Sequence, residues 1–248
     1  MKVVAIIQAR TGSTRLPGKV LKDLKGKTVL FHVIERVQQV VNVDEVVVAT
    51  TDLPQDDGLV EEVERIGVPY IRGSEEDVLS RYYQAAKKHQ SDVVIRITSD
   101  CPVIDPHIID YMIDEFHARD AHLVSNAGSN LSERTFPRGM DVEVFSFEAL
   151  EEANSHGEKA YHREHVTPYL YENLKSISYY KQKRDDSSLR LTLDTEDDWR
   201  LIQEIYNHLY HGEHDFYLED IRSLFQEKPQ LKDLNAHVEQ KKVKGQEE

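Results

Sequence analysis

Within the first hundred residues, four short apolar runs alternate with stretches whose apolar residues recur at helical spacing, and few architectures accept that alternation. The runs are Val3-Val4-Ala5-Ile6-Ile7, Val46-Val47-Val48-Ala49, Val68-Pro69-Tyr70-Ile71 and Val93-Val94-Ile95-Arg96-Ile97. With almost no side chain suited to water, they read as strands buried on both faces of a mostly parallel sheet. Between the first two, residues 28–41 carry Val29, Leu30, Val33, Ile34, Val37 and Val41 on one helical face. Residues 59–66 stop at Gly67, Ser74-Glu75-Glu76-Asp77 opens a helix to about residue 89, and Asp105-Pro106 opens another with Asp as N-cap and Pro at the first helical position. The pattern predicts an α/β fold, a Rossmann-like three-layer sandwich around a mostly parallel sheet. Right-handed crossovers then put ligands at the carboxyl ends of the strands.

Near residue 120 the alternation stops. Residues 122–126, 140–145, 176–181 and 189–193 read as strands free to run either way, and 147–153 and 161–171 as helices. A helix over 195–210 is stopped by Gly212, and helices over 217–226 and 231–238 follow. Residues 239–248 carry almost no apolar side chain and read as a disordered tail. With no Pro/Gly/Ser linker or repeat, the expectation is one domain over 1–238.

The chain of 248 residues can bury a core without staples, and its lone cysteine, Cys101, leaves no intramolecular disulfide and suits a reducing compartment. The opening apolar run is too short for a signal-peptide core or a membrane span, so the expected location is the cytoplasm. Against 31 Lys and Arg stand 45 Asp and Glu, a net charge of -14, which opposes binding to nucleic acid or anionic membranes.

One segment departs from that average. After the first run comes Gln8-Ala9-Arg10-Thr11-Gly12-Ser13-Thr14-Arg15-Leu16-Pro17-Gly18-Lys19, and from residue 10 to 27 six cations face Asp23 alone, a local charge of +5. Small residues let backbone N–H groups approach phosphate oxygens, while arginine forks and a lysine point charge neutralise them. Neither GxxxxGK[ST] nor GxGxxG is present. A basic, solvated loop is the plainer reading of the same residues.

The segment QARTGSTRLPGKVL, followed by GKTVLFHVIERV, resembles the amino-terminal signature of the cytidylyltransferases that make CMP-activated sugar acids. Those include the 3-deoxy-manno-octulosonate and acylneuraminate enzymes, and the likeness is greatest to relatives in spore coat polysaccharide biosynthesis. The family pattern A-R-x-x-S-x-R-x-P-x-K is met by Ala9, Arg10, Ser13, Arg15, Pro17 and Lys19. The resemblance extends to Arg72-Gly73-Ser74-Glu75-Glu76-Asp77, to Ser99-Asp100-Cys101-Pro102 and to Leu193-Asp194-Thr195. It implies a nucleotide-diphospho-sugar transferase fold (GT-A-like) with a β-rich dimerisation segment between residues 120 and 180, and a homodimer. The activity it implies is transfer of CMP from CTP to a sugar acid with release of pyrophosphate, in surface or spore coat polysaccharide biosynthesis.

By the same resemblance, Ala9, Arg10, Gly12, Ser13, Arg15, Lys19, Arg72, Ser74 and Asp100 bind the nucleotide. Arg10, Lys19, Asp100 and Asp194 are the catalytic set, with Asp100 and Asp194 holding Mg²⁺. The chemistry agrees, since Mg²⁺ takes one or two carboxylates and completes its shell with phosphates and waters. Asp194 has a second reading as a helix N-cap. Arg138, Asp141, Glu143, His162 and His165 are candidates for the acceptor sugar; alternation over 140–145 would put Asp141 and Glu143 on one strand face, and His162 and His165 also suit an ordinary surface helix. Cys101 reads as a buried small residue. Two other classes share such a fold: a metal-dependent glycosyltransferase, which commonly needs an Asp-x-Asp where this chain has Thr98-Ser99-Asp100, and a non-catalytic nucleotide-binding protein.

Overall fold

The first strand, β1 (Val3–Gln8), sends alternate side chains into two separate apolar layers: Val3, Ala5 and Ile7 into one, Val4 and Ile6 into the other. A strand buried on both faces has to lie inside a sheet, and in this computed structural model, which describes residues 1–119, 121–127 and 134–240, β1 does. It pairs in parallel with β4 (Glu45–Thr51) on one side and β6 (Val93–Thr98) on the other, and β4 pairs in parallel with β5 (Tyr70–Gly73). A small hairpin, β2 (Asp23–Leu24) and β3 (Lys27–Thr28), lies between β1 and β4 in sequence. Beyond β6 the sheet becomes mixed. It continues through β8 (Glu143–Ser146), antiparallel to both neighbours, then β7 (Leu123–Ser125) and the edge strand β9 (Ile177–Tyr179), giving the order β5-β4-β1-β6-β8-β7-β9.

Helices cover both faces. α1 (Val29–Gln38), α2 (Asp57–Ile66), α4 (Pro106–Ala118), α8 (Glu196–Leu209) and α9 (Leu218–Glu227) pack on the face of Ala5 and Ile7. α3 (Val78–Lys88), α5 (Phe147–His156) and α7 (Pro168–Asn173) pack on the face of Val4 and Ile6. Helix starts fall where short acceptors wait: Asp77 accepts from Ser80 N at 2.9 Å, and Asp105 accepts from His107 N at 2.9 Å with Pro106 next. Because the chain leaves β1 toward β4 and later returns to β6 on the other side, β1 and β6 flank the point where strand order reverses, the usual place for a ligand crevice. Among the described residues no helix is long and apolar enough to cross a membrane.

Four expectations change. Residues 161–171 do not form one helix: α6 (Ala160–His165) ends at Val166, whose φ is +72°, and α7 restarts at Pro168, which has no N–H to continue the ladder. Residues 189–193 form no strand. Their backbone instead crosses the strand ends, with a single parallel bridge between Arg138 and Arg190 and bonds from Leu191 N to Arg138 O (2.7 Å) and Leu193 N to Asp100 O (2.8 Å). That approach needs Gly139, where φ is +92° and an added Cβ would lie 2.5 Å from the Leu191 carbonyl carbon. β8 begins at Glu143, so Asp141 lies in the loop before it and the shared strand face proposed for the pair does not exist. Instead of a helix over 231–238 there is a 3-10 turn, Pro229–Leu234. Of the tail expected over 239–248, Gln240 is described and accepts from Arg190 Nη1 at 2.6 Å; residues 241–248 lie outside the described residues.

Two buried polar centres fix the loops beneath the crevice. Asp56, fully buried after β4, accepts from Thr11 N (2.7 Å), Thr11 Oγ1 (2.6 Å) and Thr51 Oγ1, which ties the loop after β1 to the end of β4. His32 is also fully buried: its Nε2 meets Leu24 O at 2.7 Å and its Nδ1 meets His214 Nε2 at 2.7 Å. A carbonyl only accepts, so His32 donates through Nε2 and accepts from His214 at Nδ1, and both rings are neutral. Burial, with Arg36 nearby, pushes the His32 pKa down to about 4 and that of His214 down to about 3.

Asp56→Ala would leave the buried Thr51 hydroxyl and the half-buried Thr11 N–H without their acceptor and should cost about 1–3 kcal/mol, read as a lower urea midpoint at unchanged slope. For the histidines the unfolded rings take up protons as pH falls through 6.5 while the folded ones refuse them, so stability is complete above that value and declines toward about pH 4. The melting temperature should therefore fall between about pH 7 and 5, where few carboxylates titrate, and His214→Phe should flatten that slope.

Candidate active site

A cavity of about 540 Å³ opens at the carboxyl ends of β1 and β6. The loop after β1 forms one wall. Thr11 O accepts from Ser13 N (2.8 Å) and Gly18 N (3.0 Å), buried Leu16 anchors the loop from below, and Gly18, at φ +66°, turns it into the 3-10 segment Lys19–Leu21. Ala9, Arg10, Gly12, Ser13, Arg15 and Lys19 all line the cavity. The second half of the basic segment does not. The hairpin turn at Lys25-Gly26, both at positive φ, carries it away: Lys22 sits over Trp199, Lys25 bonds Asn207 and Lys27 lies over Phe31.

Lys19 stands at the centre. Its Nζ donates to Asp100 Oδ2 (2.9 Å), Asp194 Oδ1 (2.8 Å) and Leu193 O (2.7 Å). Burial works against its charge, but the two carboxylates outweigh burial and hold its pKa above the ordinary value. Asp100 shows the reciprocal effect. Burial raises its pKa, while Lys19 and the hydroxyl of Thr98, 2.7 Å from Oδ1, bring it down to about 2. Asp194 Oδ2 forms an ion pair with Arg15 (2.9 Å) and accepts a hydrogen bond from Arg190 (3.0 Å).

Asp194 is not the helix cap. Thr195 caps α8 in a capping box with Asp198, which leaves the Asp194 carboxylate to the cavity. Asp198, fully buried, accepts from Arg190 Nε (2.8 Å) and from the backbone N–H groups of Asp194 and Thr195 (3.0 Å each). Asp198 and Arg190 thus hold Asp194 in place, and Asn235 donates to both Arg190 O and Asp198. Lys19, Arg15 and Arg190 balance Asp100, Asp194 and Asp198 in number.

Arg138, Asp141, Glu164 and His165 also line the cavity, as do Arg81 and Arg96. Asp141 pairs with Arg134. The Arg138 guanidinium has no hydrogen bond or ion pair among the described residues, and burial, reinforced by Arg134 and Arg190, works against its charge. An anion arriving there relieves that cost.

Four expected residues are not brought to the cavity. Arg72 donates to Thr51 O (2.8 Å) and Leu53 O (2.9 Å) and pairs with Asp57, so it ties down the loop after β4. Ser74 lies in the turn before α3, outside the lining. Glu143 is turned beneath the cavity, pairing with Arg96 at 2.7 Å and accepting from the Tyr171 hydroxyl at 2.6 Å. His162 is buried, 2.9 Å from Glu172; of these two histidines on α6, His165 is the one that lines the cavity. Cys101 is buried and its thiol pKa is pushed well up, first by burial and then by Asp100, which leaves no nucleophile. Among the described residues no group of three or more His, Cys, Asp and Glu could hold a metal. The oxygens that meet on Lys19 already surround one cation, and two carboxylates are the donor set of an Mg²⁺ site completed by phosphate and water.

Comparison with known proteins places this geometry. The family model described as "Cytidylyltransferase" matches residues 4–243. The spore coat polysaccharide biosynthesis protein SpsF of Bacillus subtilis is 32% identical over 82% of this chain and 86% of its own. A cytidylyltransferase structure from Leptospira borgpetersenii superposes with a TM-score of 0.87 at 37% identity, covering 94% of this chain and 97% of that one. A CMP:2-keto-3-deoxy-manno-octonic acid synthetase solved with CTP shares the fold at a TM-score of 0.65 and 21% identity, covering 84% of this chain and 99% of that one. The strand-end cavity, the loop after β1 and these matches together show that the chain belongs to the cytidylyltransferase family of nucleotidyltransferase enzymes.

Proposed function

We propose that this enzyme transfers CMP from CTP to a sugar acid of the nonulosonic kind for surface or spore coat polysaccharide synthesis. The observation that carries the reading is the make-up of one cavity: a basic loop, two carboxylates and an Arg138 guanidinium with no ion pair among the described residues share its lining. An acceptor hydroxyl attacks the α-phosphorus of CTP and gives up its proton to solvent, the bond to the bridging oxygen breaks, and pyrophosphate leaves with its electrons. Arg10, paired with Glu75 at 3.1 Å, and Arg15 bind the triphosphate, and the backbone around Gly12 and Ser13 orients it. Asp100 and Asp194 would hold Mg²⁺, which supplies charge stabilisation at the α-phosphate. Arg138 receives the acceptor carboxylate, while Asp141 and His165 face its hydroxyls. Catalysis by this set is positioning and charge stabilisation. The homodimer in this reading forms through the segment around β9, an edge strand whose residues are all half-buried.

The test is pyrophosphate release with each of the four nucleoside triphosphates, Mg²⁺ and a panel of sugar acids. CTP with a carboxylated sugar should be the productive pair; equal turnover of a neutral sugar, or of another nucleotide alone, overturns the reading. Asp100→Asn should lower kcat by at least about 10²-fold with the circular dichroism spectrum intact. Arg138→Ala should raise KM for the sugar acid about tenfold or more while leaving KM for CTP near its starting value.

A further inference from the structure

Lys19 presents a conflict between two roles. An ammonium has three N–H bonds, and in Lys19 they go to Asp100, Asp194 and Leu193 O, leaving none for a phosphate oxygen. The two carboxylate oxygens it engages come one from each proposed metal ligand. The remaining oxygens are engaged as well, Asp100 Oδ1 by Thr98 and Asp194 Oδ2 by Arg15 and Arg190. With three cations already matched by three carboxylates, a divalent ion entering alone would sit beside an ammonium with no new negative charge to compensate it. A triphosphate supplies that charge and offers the ammonium other acceptors.

Resting on the cytidylyl-transfer reading, we propose that Lys19 is an internal stand-in for the metal. It occupies the carboxylate pair in the free enzyme and surrenders it only when a triphosphate arrives to receive the ammonium. Metal and nucleotide then enter as an exchange. The lysine moves from carboxylates to phosphate as the metal takes the carboxylates, and the free enzyme binds divalent cations poorly. The segment around Lys19 suits such a movement, since a short 3-10 turn after a glycine at positive φ holds its backbone and four methylenes carry its charge. Lys19 is a positioning residue for Asp100 and Asp194 before it is a phosphate ligand.

The experiment is Mn²⁺ binding to the nucleotide-free full chain, followed by electron paramagnetic resonance. Lys19→Met should bind Mn²⁺ at least about tenfold more tightly than the wild type, because the competing cation is gone. Arg10→Met removes the same charge from the same cavity but frees neither carboxylate, and should change Mn²⁺ affinity by no more than about threefold. Unchanged or weaker binding by Lys19→Met, or equal tightening by Arg10→Met, overturns the proposal. Should Lys19→Met fail to fold, ¹⁵N resonance of the lysine ammonium groups in the wild type decides. The Lys19 signal should be protected in the free protein, unmoved by Mg²⁺ alone and shifted by Mg²⁺ with CTP; a signal unmoved by both together overturns the exchange. Pyrophosphate release separates the two readings. Turnover of CTP by a wild type whose Lys19→Met variant shows no tightening sinks the exchange alone, and tightening without turnover of any nucleotide sinks the substrate reading alone.

Discussion

Three oxygens converge on the Lys19 ammonium from two distant pieces of chain: Asp100 just beyond β6, and the consecutive Leu193 and Asp194 where the crossing segment runs toward α8. A buried charge persists only where oxygens surround it, so these segments must arrive together for the cavity to exist. The arrangement propagates outward. Asp194 keeps its place because Arg190 and Asp198 hold it, Arg190 because Asp198 and Gln240 hold it, and Asp198 because α8 begins where Thr195 caps it. On the other flank, Lys19 reaches the centre because the loop after β1 is tied through Thr11 to Asp56. The site is a chain of ion pairs closed at both ends by buried aspartates.

The parallel half of the fold was legible because burial on both faces leaves a plain mark, a short run dominated by Val, Ile and Ala. Helix starts were legible for a local reason, since Asp77, Asp105 and Thr195 act within three residues of themselves. Resemblance and strand-end position together gathered Arg10, Arg15, Lys19, Asp100 and Asp194. Arg190, Asp198 and Asn235 escaped because their roles depend on pairings across up to 50 residues, which periodicity cannot carry. Arg96 escaped inside an apolar run, and Glu143 was placed on the wrong side because β8 starts two residues beyond Asp141. Lys22, Lys25 and Lys27 counted toward a basic loop whose hairpin turns them elsewhere. Charge summed over sequence ignores backbone direction.

An average of -14 therefore says little about this cavity. Around Lys19 cations and carboxylates cancel, while the Arg138 guanidinium in the same cavity has no ion pair among the described residues. Long-range repulsion of polyanions and local reception of a small anion operate at different distances, the first beyond the Debye length and the second within hydrogen-bond reach.

β8 runs against its neighbours, pairing Arg96 with Glu143 at one end and Val93 with Ser146 at the other. Its amino end therefore lies beside the carboxyl end of β6, and the loop that precedes it, with Arg138 and Asp141, opens onto the same rim as Asp100. Had β8 been parallel, that loop would have emerged some four residues lower, at the floor of the sheet. The reversal brings both loops to one rim. Insertions ahead of β8 can lengthen or reshape the surroundings of Arg138 while β1 and β6, paired over six residues, keep the mounting of the loop after β1 unchanged.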